Sequence, residues 1–163
     1  MFANCAGIKG RTLGLIGFGA IGQLVLERAK AFELNVIVHT RSKQPGLEKK
    51  LGFQYASSLQ DLLSKSDIVS IHTPATPETM NMVNKDFFYH MKPDAVLINT
   101  SRGSIVNEEH LLAHLEANKN FWFGTDVFNV EPAGMKEVAF SHPIAQHPQV
   151  YGSPYIGAFT KHS

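Results

Sequence analysis

The sequence predicts an α/β fold, a doubly wound parallel sheet in three αβα layers. Three observations carry that prediction. Short β-branched runs alternate with longer segments of helical period along nearly all of the 163 residues, which is the pattern of βαβ units. A glycine-rich junction, Gly17-Phe18-Gly19-Ala20-Ile21-Gly22, stands between the first strand run and the first helical run. The apolar share is 44%, enough for one domain to bury a core.

The elements follow in order. Thr12 to Ile16 is a short buried-strand run, followed by Ile21, Leu24, Val25, Ala29 and Phe32 at the spacing of one helix face. Asn35 to Thr40 is a second strand and Gln54 to Tyr55 a short third. Ser57 and Gln60 have capping-box spacing before a helix at Leu59 to Ser64. Asp67 to Ile71, Ala95 to Asn99 and Phe121 to Asp126 read as further strands, with a helix at Glu108 to Ala117 and an edge strand near Val150. That makes about six or seven strands and about five helices. The segment from Phe128 to Pro148, rich in Pro, Gly and His, is too long for a simple connection and reads as functional.

Composition excludes several functions. Fifteen Lys and Arg against 14 Asp and Glu give a net charge of +1, so no broad field draws nucleic acid or anionic lipid. No window reaches the roughly 18 apolar residues of a membrane span, and the N-terminus lacks the order of a signal peptide. Cys5 is the single cysteine, which leaves no internal disulfide and no Cys pair for zinc. The eight histidines are read as lacking ligand spacing such as His-x-x-x-His, and no metal is expected. A cytoplasmic protein with a small-molecule partner is expected.

The glycine junction gives the fold its Rossmann-type character. Gly17 permits a tight turn, Gly19 admits a pyrophosphate close to the backbone, and Gly22 lets the helix pack near the strand. The helix N-terminus then offers amides to the phosphates. Dinucleotide sites selective for NAD carry an Asp or Glu about 20 residues on, to bind ribose hydroxyls. Here the residues are His39-Thr40-Arg41-Ser42-Lys43, without a carboxylate. Arg41 suits a 2′-phosphate, with Ser42 and Lys43 as further donors. NADP is favoured, with NAD the alternative if these are ordinary loop charges.

Other polar clusters fall at strand ends: His72-Thr73-Pro74, Thr100-Ser101-Arg102-Gly103, and Asp126. Open α/β sheets bind ligands at the carboxyl edge, so one crevice is expected to gather them.

GLIGFGAIG, HTPATPETMNMVN, MKPDAVLINTSRGSIVNEEHLLAHLE, GTDVFNVEP and SPYIGAFT, in this order and spacing, resemble the cofactor domain of the D-isomer-specific 2-hydroxyacid dehydrogenases. The resemblance covers nearly the whole chain, and TSRG combined with DVFxxEP is its most specific part. It implies hydride transfer between a nicotinamide cofactor and a D-2-hydroxy acid or 2-keto acid. Arg102 matches the arginine that binds substrate carboxylate and polarises the keto group, and Glu131 the glutamate that orients the catalytic histidine. Asp126 matches the contact to the nicotinamide carboxamide, and Thr79 falls in the cofactor-binding stretch.

The family histidine is replaced by Tyr155 in Pro154-Tyr155-Ile156-Gly157. Tyrosine donates a proton but is a poor base at neutral pH. Three readings stand: a weaker proton donor, a cofactor-binding pseudoenzyme, or an engineered or erroneous residue. His142, His147 and His162 are possible substitutes. The resemblance further implies that residues 1–163 form the dinucleotide domain and that the substrate domain is absent, so the isolated chain is expected to bind a dinucleotide with little turnover. A homodimer is expected by analogy. The competing function is a dinucleotide-sensing interaction module like the corepressors related to these enzymes.

Overall fold

The computed structural model describes residues 7–129, 143–153 and 155–157. Seven strands form one sheet: β1 (Thr12–Ile16), β2 (Asn35–His39), β3 (Gln54–Tyr55), β4 (Ile68–Ile71), β5 (Val96–Asn99), β6 (Trp122–Thr125) and β7 (Val150–Gly152). The helices are α1 (Ala20–Ala31), α2 (Leu47–Leu51), α3 (Leu59–Lys65), α4 (Lys85–His90) and α5 (Glu108–Ala117), with a 3-10 turn at Gly103–Ile105. Strand order is β3-β2-β1-β4-β5-β6-β7, and every pairing is parallel. The order reverses between β1 and β4, the switch point at which doubly wound sheets open a crevice. The Rossmann-type fold is therefore as expected.

Alternation along the strands sorts the core into two layers. Leu13, Leu15, Val36 and Val38 meet Leu26 and Ala29 of α1 on one face. On the other, Ile16, Ile37, Val69, Ile71, Leu97 and Phe123 meet Leu62 and Leu63 of α3, Phe87 and Phe88 of α4, and Leu111 and Leu115 of α5. Each fully buried leucine stabilises the fold by about 1.5–3 kcal/mol.

Two local expectations are corrected. The stripe of α1 facing the sheet is Gly22, Leu26 and Ala29, with Val25 packed beside it. Ile21, Leu24 and Phe32, expected on that face, are 65%, 52% and 61% exposed. Gly22 is buried in that stripe, where a Cβ would stand 2.9 Å from the Gly17 carbonyl oxygen. The cap of α3 also sits one residue later than expected. The Ser58 hydroxyl accepts the Asp61 amide at 3.0 Å, while Asp61 Oδ2 accepts the Ser57 amide at 3.0 Å. Asp61 thus does the work assigned to Gln60.

Candidate functional site

The turn after β1 is held against two neighbouring strands. The Gly17 amide donates to the His39 carbonyl at 2.9 Å, and its φ of +90° is a left-handed backbone that favours glycine. A Cβ there would lie 2.5 Å from the His72 carbonyl oxygen. At Gly19 a Cβ would meet nothing within 4 Å, so the space above it is open. Gly19 caps α1 without a side-chain bond, and the first turn carries no acidic residue. The first intrahelical bond is Gln23 N–H to Gly19 O at 3.1 Å, so the Ala20, Ile21 and Gly22 amides precede the ladder. The Phe18 ring rests on Phe53 at 4.8 Å. An open cradle of amides with no carboxylate beside it fits a diphosphate.

Past β2, Arg41 and Ser42 are exposed at the same sheet edge. Lys43 departs from expectation: its ammonium donates to the Ala56 carbonyl at 2.8 Å and lies 5.6 Å from the centre of the Tyr55 ring. Burial, aided by the Lys43 charge, pushes the His39 pKa down.

A crevice of about 380 Å³ opens beside the β1–β4 switch, lined by Ile21, His72, Thr73, Pro74, Thr100 and Arg102 among others. His72 Nε2 lies 2.9 Å from the Ser70 hydroxyl, and burial lowers its pKa, which favours the neutral imidazole. Thr79 closes the loop beyond Pro74 by donating to the Pro74 carbonyl at 2.7 Å. Across the crevice, buried Asn99 fixes the turn bearing Arg102: its Oδ1 accepts the Ser101 amide at 3.0 Å and its Nδ2 donates to the Arg102 carbonyl at 2.9 Å. The Ser101 hydroxyl donates to the Ile71 carbonyl at 2.8 Å. The Arg102 guanidinium is exposed and donates to the Ser101 carbonyl at 2.7 Å. Gly103 lets this turn touch the backbone after β6, since a Cβ there would strike the Phe128 carbonyl group.

Asp126 follows β6 and holds the segment after β7. Its Oδ1 accepts the Ser153 hydroxyl at 2.5 Å and the Ile156 amide at 3.0 Å, and Oδ2 accepts the Gly157 amide at 2.8 Å. Burial is the largest influence on Asp126 and would raise its pKa, but the Ser153, Gly157 and Ile156 hydrogen bonds together bring it below the usual carboxylate value. Tyr155 is 40% exposed, with a φ of +55°. Glu131, His142, His162 and Cys5 lie outside the described residues. His147 is excluded as a substitute acid or base. It precedes β7, at the opposite edge of the sheet from the crevice, and its Nε2 lies 3.4 Å from Glu116.

Sequence reasoning passed over Ser70, Asn99 and Ser153, whose polar groups orient the residues singled out. Asn99 carried a signal, a polar side chain in an otherwise apolar strand run. It also overlooked that His110 and His114 do stand in His-x-x-x-His order on α5. His114 is stacked on Phe88 at 4.6 Å and takes part in a hydrogen bond with Asn118 through Nδ1 at 3.2 Å. Among the described residues no group of three or more His, Cys, Asp or Glu gathers, and no helix is long and apolar enough to cross a membrane.

Residues 3–157 match the family model for the D-isomer specific 2-hydroxyacid dehydrogenase NAD binding domain. Glyoxylate reductase from Thermococcus litoralis is 38% identical over 154 residues, covering 94% of this chain and 44% of the relative. The chain thus spans less than half the length of that relative. A solved structure of phosphoglycerate oxidoreductase from Vibrio cholerae superposes with a TM-score of 0.86 at 30% identity, over 97% of this chain and 49% of the other. D-lactate dehydrogenase with NAD+ from Lactobacillus jensenii gives a TM-score of 0.85 at 32% identity, over 95% and 48%. With the glycine cradle, the Arg102 turn and Asp126 all on the carboxyl edge of one parallel sheet, the chain belongs to the NAD-binding domain family of the D-isomer-specific 2-hydroxyacid dehydrogenases.

Proposed function

We propose that this chain is the dinucleotide-binding half of an NADP-dependent D-2-hydroxyacid dehydrogenase that interconverts a small 2-keto acid and its D-2-hydroxy acid. The observation that carries the reading is the crevice itself: an α1 terminus free of capping and acidic side chains opens beside Arg102. When bound, the nicotinamide supplies or accepts the hydride. The amides of Ala20, Ile21 and Gly22 hold the diphosphate, and Arg41 with Ser42 hold the 2′-phosphate. Lys43, drawn to Ala56, is left out of that role. Arg102 brings a permanent charge to the substrate carboxylate and to the oxygen on which charge develops. Tyr155 donates the proton to that oxygen, and Glu131 completes the set.

Substrate needs a second wall to exclude water, so the chain alone binds dinucleotide and turns over little keto acid. The matched relatives are reductases and dehydrogenases, which favours the enzyme over a non-catalytic sensing module. Paired titrations with NADPH and NADH test the reading. NADPH is expected to bind at least about tenfold tighter, the worth of a charge-assisted bond to Arg41, and Arg41→Ala to erase the difference while sparing NADH. Equal or tighter NADH binding refutes the NADP preference, and failure of both ligands to bind refutes the whole reading.

A further inference from the structure

The segment after β7 has little secondary structure to hold it, yet it carries Tyr155 in a left-handed conformation, φ +55°, that a residue with a Cβ adopts at a cost. Something must keep it there. The Tyr155 amide is shared with the Ser153 carbonyl at 3.1 Å, and the remaining bonds converge on one residue. The Asp126 carbonyl accepts the Tyr155 amide at 3.0 Å. Its carboxylate accepts the Ser153 hydroxyl, the Ile156 amide and the Gly157 amide at 2.5, 3.0 and 2.8 Å. Gly157 is shaped to this contact, since a Cβ there would stand 2.8 Å from Asp126 Oδ2.

We infer that Asp126 is the positioning residue for Tyr155: it holds Ser153 on one side of the tyrosine and the Ile156 and Gly157 amides on the other, and so fixes the backbone that carries the phenol. The inference rests on the reading above, in which Tyr155 is the proton donor. It assigns Asp126 a second task besides any contact with the cofactor. A carboxylate offers about four acceptor sites, and among the described residues Oδ2 receives only the Gly157 amide. The open site on Oδ2 can take an N–H from the nicotinamide carboxamide. With a nicotinamide ring bound there, Asp126 would link it to the segment that carries Tyr155, and occupancy would tighten that segment.

Amide hydrogen exchange at Ile156 and Gly157 reads this directly, on the intact chain. In Asp126→Asn both amides are expected to exchange at least about tenfold faster, because the side-chain nitrogen cannot accept from Gly157 and the charge is gone. Ser153→Ala, which leaves both amide bonds in place, is expected to produce a smaller acceleration, and guards against a variant that fails to fold. In wild type, saturating NADPH is expected to slow exchange at these two amides, while saturating 2′-phospho-ADP-ribose, which keeps the 2′-phosphate and lacks only the nicotinamide, does not. A purely structural cap would not distinguish the two ligands. Equal exchange in wild type and Asp126→Asn overturns the inference, as does equal slowing by NADPH and 2′-phospho-ADP-ribose. If wild type binds neither ligand, the proposed function fails, while the ligand-free comparison still decides whether Asp126 holds the segment.

Discussion

Two glycines of the same motif should fail in opposite ways. At Gly17, alanine meets two penalties. The φ of +90° costs a residue with a Cβ about 1–2 kcal/mol, and the new atom lands 2.5 Å from the His72 carbonyl oxygen. Backbone just after β4 cannot swing aside as a flexible side chain would, so overpacking adds about 1–3 kcal/mol. The sum, about 2–5 kcal/mol, is a large share of the roughly 5–15 kcal/mol that holds a domain together. At about 2–4 °C per kcal/mol for a chain of this size, the melting temperature should fall by about 4–20 °C.

At Gly19 the backbone is extended, with φ −80° and ψ −161°, and the Cβ meets nothing within 4 Å. Gly19→Ala should therefore change stability by less than about 1 kcal/mol. What it removes is room for a diphosphate oxygen beside the amides, and NADPH affinity should drop by about tenfold or more. Thermal unfolding and dinucleotide titration of the two variants, side by side, check the argument. A Gly19→Ala protein that melts as early as Gly17→Ala, or that binds NADPH within twofold of wild type, refutes the assignment of Gly19 to the ligand. A Gly17→Ala protein as stable as wild type refutes the packing argument.

Stability should also fall on mild acidification. Burial lowers the pKa values of His39, His72 and His114 in the folded chain. The unfolded chain takes up protons near pH 6.5 while the folded one does not, so stability is fully present above that pH and is lost as pH falls below it. The urea midpoint should be lower at pH 5.5 than at pH 7.5, and His114→Leu should flatten the dependence; a midpoint that does not move contradicts the burial of these rings. Asn99→Ala should cost about 1–3 kcal/mol of stability against denaturant, since it strands the Ser101 amide and leaves the Arg102 carbonyl with only the Ile105 amide. The same variant should weaken dinucleotide binding, and wild-type behaviour in both assays would remove Asn99 from the site.

What could be read from the sequence follows from how locally each feature is specified. The strands are short apolar runs because a parallel sheet is covered on both faces, and their ends, rich in polar residues, mark the carboxyl edge. Gly17, His72, Arg102 and Asp126 are legible as strand-end residues for that reason, since parallel strands deliver every carboxyl end to the same edge; of the four, His72 and Arg102 line the crevice itself. Features fixed by contact escaped. Helices α2 and α4 have five and six residues, too few for a periodic stripe, and the inward stripe of α1 includes Gly22, which has no side chain to count. The hold of Asp126 on Ser153 and Gly157 spans 27 to 31 residues, and no spacing rule reaches so far. Local order thus announces where a ligand sits, while the distant contacts that aim the reacting groups emerge only when the strands are laid side by side. At Tyr155 both kinds meet: the residue itself is legible in the sequence, while the hold of Asp126 on the backbone to either side of it is made by a carboxylate nearly thirty residues away and appears only in the folded chain.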